Sequence, residues 1–334
     1  MEYKNVIAID AMGGDNAPAE IIKGAIEAIN ERADIKLRLF GDKDKIETEL
    51  NKYTYNKEQI GITHTTEEIS CNEAPAMAIK KKKDSSLVVA MRLVREGKAD
   101  ALVSAGSTGA VLVGGQLVVG RLKGIKRPPL APFIPTTKGF SLLIDCGANV
   151  DARPEHLVQF AQMGSIYYEN VMGKKNPTVA LLNIGTEEEK GNQLVKDTKP
   201  LMKECKNINY IGSVEARELV SGAADVIVCE AFVGNVVLKF FEGLALTLFG
   251  SLKEGLMSST RTKLGALLVK PALKGLKNQF DTSSQGGAPL LGLKGLVVKA
   301  HGNSSSKEIE IALKQCISFK KQKINEKIKE SICD

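Results

Sequence analysis

Tryptophan is absent, aromatic residues make up 5% of the chain, and no basic stretch is interleaved with stacking side chains. Single-strand binders need an aromatic platform in a positive groove, so these absences exclude nucleic acid as a partner. The three histidines, His64, His156 and His301, are scattered, and neither H-E-x-x-H nor a cysteine cluster occurs. No zinc centre is expected from that pattern. Cysteines stand at 71, 146, 205, 229, 316 and 333 without C-x-x-C spacing, mostly beside apolar residues, which reads as reduced thiols and not as a disulfide framework. No basic-then-apolar leader opens the chain, and no apolar run approaches the roughly 20 residues of a membrane span. A cytoplasmic protein is expected, still able to touch a membrane surface.

What is present describes a globular chain. With 334 residues, 43% hydrophobic and 25% charged, it has enough apolar side chain to bury a large core. Its 46 basic against 39 acidic residues leave a net charge of +7, which favours phosphates, acidic proteins or anionic membranes.

Short Val- and Ile-rich runs repeatedly give way to a small-residue loop and then to a helical pattern, which predicts an α/β fold with a mostly parallel sheet. Strands are expected at 6–10, 35–40, 100–104, 141–145, 178–184, 209–214 and 225–229. In the first helix Pro18 fits the opening turn, and Ile21, Ile22, Ala25, Ile26 and Ile29 recur at helical spacing before Asn30. No Pro- or Ser-rich linker and no repeat is visible, so residues 1–334 read as a single domain carrying a helical pair at about 234–279. The first helix of that pair, 236–257, is apolar nearly all round, so it needs cover on several sides, from the core or from a second copy of the chain.

Four glycine-rich loops each follow a strand: DAMGGD at 10–15, SAGSTGA at 104–110, DCGANVD at 145–151 and NIGTEEEKGN at 183–192. Ligands bind at that rim of parallel α/β sheets, and bare backbone N–H groups suit phosphate. None of these loops is a nucleotide fingerprint: G-x-x-x-x-G-K-[ST] is absent, GGAPLLGLKG at 286–295 only approaches it, and no G-x-G-x-x-G follows a strand. Asp10, Asp15, Asp145 and Asp151 have the chemistry of Mg²⁺ ligands, but carboxylates at strand ends more often cap helices or bond loop amides. The A-x-S-x-G around Ser107 resembles a nucleophile elbow, yet a triad would have to draw its histidine from His156 or His301. A hydrogen-bonding loop serine is the simpler reading.

Laid out in order, these loops and several further segments closely resemble the bacterial phosphate acyltransferases, which convert acyl-acyl carrier protein and phosphate into acyl phosphate. The further segments are KKKDSS at 81–86, RPPLAP at 127–132, FVGNVVLK at 232–239 and GGAPLLGLKGLVVKAHGNS at 286–304. The chain departs from the family pattern at Ser107, where relatives usually carry Asn, at Glu230-Ala231 in place of Asp-Gly, and at Gln285 in place of Tyr. The resemblance implies a three-layer fold like those of isopropylmalate dehydrogenases and phosphate acetyltransferases, a homodimer built around helices, and no redox cofactor. Its reaction would be attack of a phosphate oxygen on an acyl thioester carbon, through a tetrahedral oxyanion.

Phosphate is already an anion near neutral pH, so such a site has to hold it, desolvate it and steady the oxyanion. The residues expected to bind phosphate are Gly13, Gly14, Gly106 and Gly109 through their amides, with Ser107 and Thr108. Lys190 is expected as the cation near the reacting centre, with Asn235 and His301 for positioning or proton transfer. The run Lys80, Lys81, Lys82 and Lys83 is either a solvated helix end or a docking patch for an acidic carrier protein. Between 260 and 278, Lys263, Lys270, Lys274 and Lys277 share one helical face opposite Leu264, Leu268, Ala272 and Leu276. That basic amphipathic helix, interrupted by Pro271, would meet an anionic membrane, where the glycerol-3-phosphate acyltransferase that uses the product works, or would close a dimer. Competing readings are a phosphate acetyl- or butyryltransferase acting on acyl-CoA, a decarboxylating dehydrogenase of the same fold, a serine thioesterase and a non-enzymatic membrane scaffold.

Overall fold

The computed structural model describes residues 3–280 and 285–332; Cys333 lies outside them. Its strands are β1 (Asn5–Asp10), β2 (Ile35–Gly41), β3 (Ile60–His64), β4 (Ala101–Ser104), β5 (Phe133–Thr136), β6 (Gly139–Ile144), β7 (Thr178–Asn183), β8 (Asn209–Glu215), β9 (Val226–Val228), β10 (Ala288–Leu290) and β11 (Leu296–Lys299). Its helices are α1 (Ala19–Glu31), α2 (Lys43–Leu50), α3 (Pro75–Lys81), α4 (Ser86–Arg95), α5 (Thr108–Gly114), α6 (Pro154–Met172), α7 (Gln193–Glu204), α8 (Ala231–Met257), α9 (Thr260–Gln279), α10 (Ser306–Lys321) and α11 (Ile324–Ile332). Every strand expected from a Val- or Ile-rich run is present, and β3, β5, β10 and β11 are additional.

The fold is α/β and mostly parallel, with the pairing divided between two compact units. Unit 1 takes Met1–Pro132, Gln162–Lys175 and Ser283–Asp334, and unit 2 takes Phe133–Ala161 and Asn176–Thr282. In unit 1 the strand order is β10-β11-β4-β1-β2-β3, with only the β10–β11 pair antiparallel. The central strands β4 and β11 are buried along their whole length, which is why ALVS and LVVK read as continuous runs and not as alternating ones. Helix α1 begins after Pro18 and buries Ile21, Ile22, Ala25, Ile26 and Ile29, as their spacing requires, and packs on α10. In unit 2 the order is β5-β6-β9-β7-β8, with only the β5–β6 pair antiparallel.

The helical pair is longer than the sequence pattern suggests. Helix α8 starts at Ala231, where the Glu230 carboxylate accepts from the amides of Phe232 and Val233 at 2.6 and 2.8 Å and caps it. It packs on α9, but within the chain only Ala231, Gly234 and Leu238 are buried. Phe240 is 70% exposed and Leu246 76%, so burial in this chain's own core does not account for the apolar surface. By length and composition α8 could cross a membrane. The expectation that no apolar stretch reaches that length is corrected here: Lys239 and Glu242, paired at 2.8 Å, interrupt the run without ending the helix. Helix α9 likewise continues through Pro271, which removes one backbone donor on an exposed helix without breaking it.

Candidate active site

The glycine loops divide between the units. In unit 1 the loops after β1, β4 and β11, adjacent strands of one sheet, are tied around Asp10. Its carboxylate is buried and accepts from Ser86 Oγ at 2.6 Å and from Ser104 Oγ at 2.7 Å. Ser104 Oγ in turn accepts from the amide of Gly106 at 3.1 Å, so one hydroxyl relays the second loop onto the first. The amide of Asp15 donates to the carbonyl of Gly302 at 2.7 Å, and Asn16 Nδ2 to that of Asn303 at 3.0 Å, which attaches the third loop. A Cβ on Gly13 would stand 2.4 Å from Asp10 Oδ2 and 2.7 Å from the Gly106 nitrogen. The two loops approach this closely only because residue 13 has no side chain.

Burial pushes the Asp10 carboxyl above its usual value, opposed by the hydrogen bonds from Ser86, Ser104 and the Met12 amide and by the charge of Lys299. Lys299, at the end of β11, is only 8% exposed, and its Nζ donates to the carbonyl of Ala105 at 3.2 Å and to that of Ala300. A buried cation and a buried carboxylate thus underpin the three loops, while the glycine backbone forms their surface. Ser86 lies in the KKKDSS segment beside a run of lysines, and Lys299 sits in a strand that reads as apolar. Sequence reasoning missed both. Asp10, weighed there as a metal ligand, bonds loop and side-chain donors instead. Among the described residues no group of three or more His, Cys, Asp or Glu side chains is placed to hold a metal ion.

Gly13, Gly14, Gly106 and Ser107 are therefore brought together within unit 1. Ser107 is buried and its Oγ accepts from the Ala110 amide at 3.5 Å as the N-cap of α5, a hydrogen-bonding loop residue. Thr108 opens that helix, exposed, and Gly109 packs against Pro75. His301 is exposed in the loop after β11. The other histidines serve their own backbone: His64 Nδ1 accepts from the Lys43 amide and His156 Nδ1 from the Arg153 amide, each at 3.1 Å. Of the lysine run, Lys82 turns back to Glu73, at 2.8 Å, and to the carbonyl of Glu68, at 2.7 Å, while Lys80, Lys81 and Lys83 are exposed. Lys263, Lys270 and Lys274 are exposed along α9.

Lys190 and Asn235 belong to unit 2. The loop after β7 that carries Lys190 is held from beneath by Lys199, which is 3% exposed and donates to the carbonyls of Glu187, Glu188 and Lys190 at 3.0, 2.7 and 3.1 Å. All three ammonium hydrogens are thereby used. Asn183 Nδ2 adds bonds to the carbonyls of Gly185 and Lys190 at 2.9 and 3.1 Å. Gly191 turns the chain at φ +117°, with Asn183 Oδ1 only 2.8 Å from where a Cβ would stand, and Asn192 caps α7 through the Val195 amide at 2.9 Å. Asp145, at the end of β6, accepts from Asn149 Nδ2 at 2.7 Å and from the Ala148 amide at 3.2 Å. Asn235 is exposed in the second turn of α8.

Beside the Lys190 loop, unit 2 contains a cavity of about 290 Å³ walled by Leu157, Leu182, Leu194, Val195, Val233 and Val237. Sequence reasoning did not foresee it, because these residues come from four segments that meet only in the fold.

The architecture is an α/β one, mostly parallel, with glycine-rich loops following its strands. It is similar to the solved phosphotransacetylase of Streptococcus pyogenes, with a TM-score of 0.65 over 95% of both chains at 16% identity, a likeness of fold. The family model described as "Fatty acid synthesis protein" matches residues 5–327. The chain is 51% identical over 323 residues to a protein of Clostridium acetobutylicum named "Phosphate acyltransferase", covering 97% of each. It is 52% identical over 326 residues to the protein of that name from Alkaliphilus oremlandii, covering 98% of this chain and 97% of the relative. The chain belongs to this phosphate acyltransferase family and is an acyltransferase.

Proposed function

We propose that the protein transfers a long-chain fatty acyl group from acyl-acyl carrier protein to inorganic phosphate, giving acyl phosphate for glycerolipid synthesis. The observation that carries this reading is the set of three glycine-backbone loops tied around buried Asp10 and Lys299. It is read as a preformed cradle for an anion, and its one hydroxyl at an elbow-like position, Ser107, caps a helix through its oxygen and keeps its O–H to donate. Phosphate is assigned to the amides of Gly13, Gly14 and Gly109 with Ser107 and Thr108, while Gly106 fastens the cradle to Ser104. A phosphate oxygen attacks the thioester carbonyl carbon, the carbonyl electron pair moves to oxygen, and collapse of the tetrahedral adduct breaks the C–S bond. The carrier thiolate leaves and takes up a proton. Lys190 is assigned to the developing oxyanion, and Asn235 and His301 to positioning or proton transfer.

The exposed apolar face of α8 supports a homodimer in which a second copy covers it. Exposed Lys80, Lys81 and Lys83 suit an acidic carrier protein, and Lys263, Lys270 and Lys274 on α9 suit the anionic cytoplasmic membrane surface where the next acyltransferase would receive the product. The protein then works in the cytoplasm, peripherally attached. The likeness in fold to phosphotransacetylases favours one second reading, acyl-CoA as the donor.

Thioester consumption from palmitoyl-carrier protein, with and without phosphate and with hydroxylamine to trap acyl phosphate, tests the proposal. Phosphate-dependent palmitoyl hydroxamate is expected, with a preference for the carrier-bound donor over palmitoyl-CoA. Phosphate-independent release of palmitate overturns it and makes Ser107 a nucleophile; hydroxamate from the CoA ester alone selects the second reading.

A further inference from the structure

The cavity in unit 2 is walled mainly by aliphatic side chains. Leu182 comes from β7, Leu194 and Val195 from α7, Val233 and Val237 from α8, and Leu157 from α6. The surface they make is aliphatic and non-aromatic, and it rests on the buried cluster that contains Leu182, Ala180 and Ile227.

Three of its polar lining residues already make hydrogen bonds within the chain. Asn183 Nδ2 donates to the carbonyls of Gly185 and Lys190, Asn192 Oδ1 accepts from the Val195 amide, and Glu230 accepts from the Phe232 and Val233 amides. An occupant carrying amides or hydroxyls would lose its water there and gain few partners in return. This argues against the pantetheine arm of a thioester, which carries two amides, and for an alkyl chain. Ile184, 80% exposed on the Lys190 loop, lines the cavity too and extends the apolar surface outward.

The volume fits part of a fatty chain. At about 30 Å³ per water-sized group, a cavity of this size takes roughly ten such groups, and a methylene is of that order. An acetyl group would leave it nearly empty.

We infer that this cavity binds the alkyl chain of the fatty acyl substrate and sets the enzyme's preference for long over short acyl groups. The inference rests on the acyl-transfer reading and adds a location and a specificity to it. The segment 183–192 contributes Asn183, Ile184 and Asn192 to the cavity and carries Lys190 as well, so chain binding and the proposed chemistry share one loop. Each methylene taken from water is worth about fourfold in binding.

The test uses butyryl- and palmitoyl-carrier protein as donors, which differ only in chain length, with hydroxamate trapping as the readout for the whole chain and for two variants that fill the cavity from different helices, Val233→Trp and Val195→Trp. The palmitoyl-to-butyryl ratio of kcat/KM is expected to fall at least about tenfold in each. Fluorescence of bound cis-parinaric acid, an aliphatic probe that needs no reaction, is expected to weaken in parallel. Phosphate-dependent hydroxamate with an unchanged ratio in a folded variant overturns the cavity assignment and leaves the acyl-transfer reading standing. Absence of hydroxamate from either donor in the unaltered protein removes the acyl-transfer reading, and with it any role for the cavity in choosing acyl substrates. If both variants fail to fold, parinarate binding by the unaltered protein decides: displacement by palmitate but not by butyrate supports the assignment, and no binding overturns it.

Discussion

Ser86 Oγ donates to Asp10 Oδ1 at 2.6 Å across 76 positions of sequence, joining the first residue of α4 to the last residue of β1. With Ser104 on the other carboxylate oxygen, it makes a buried carboxylate the fastening of the glycine loops. Replacing Ser86 by Ala leaves one oxygen of a buried carboxylate without its partner. A loss of roughly 1–3 kcal/mol in stability is expected from urea unfolding, with a smaller loss for Ser86→Thr.

The titration of Asp10 has a definite sign. Its folded value lies above 3.8 because burial disfavours the charged form, so the folded protein binds this proton more tightly than the unfolded chain does. The stability it contributes is full below 3.8 and is lost as pH rises through the folded value. Asp10→Asn removes that dependence. Urea unfolding at a series of pH values should show the stability difference moving in favour of the variant as pH increases through this window.

Gly13→Ala puts a methyl group 2.4 Å from Asp10 Oδ2. The loops must separate, and a displacement on the order of 1 Å at a reacting centre costs about a hundredfold in rate. Steady-state kinetics should show a drop of that order in kcat/KM for phosphate, while far-ultraviolet circular dichroism stays native.

Lys199→Met leaves three loop carbonyls without their shared donor. Local opening of 185–191 should become easier, seen as faster amide hydrogen exchange there than in the strands of the same unit. Lys190→Ala leaves that exchange unchanged and instead lowers turnover by about two orders of magnitude or more, which separates a residue that shapes the loop from one that acts on the substrate.

Phe240→Asp and Leu246→Asp place charges on the exposed face of α8. Sedimentation should show a shift from dimer to monomer, with the circular dichroism of the folded units retained.

The fold class was legible in the chain because strands buried on both faces must be continuous apolar runs. β1, β2 and β7 announce themselves by composition, and α1 by the spacing of its isoleucines. β10 and β11 were not legible: three and four residues long among glycines, they become strands only by pairing with each other and with β4. The division into two units also left no mark, since the chain passes between them at 132–133, 161–162, 175–176 and 282–283 and no single linker exists to be read. Of the candidate site, the glycine loops were readable, because a turn that brings bare backbone to a strand end needs glycine whatever surrounds it.

Family membership, the parallel α/β plan and the glycine-rich character of the loops thus lie in local sequence, where composition and turn chemistry act over a few residues. Tertiary structure alone decided that Ser86 and Lys299 secure those loops, that Lys199 shapes the segment carrying Lys190, and that six aliphatic side chains from four elements line a cavity. Hydrogen bonds to a buried carboxylate and the walls of a cavity join residues far apart in the chain, and no pattern along the sequence records which of them meet.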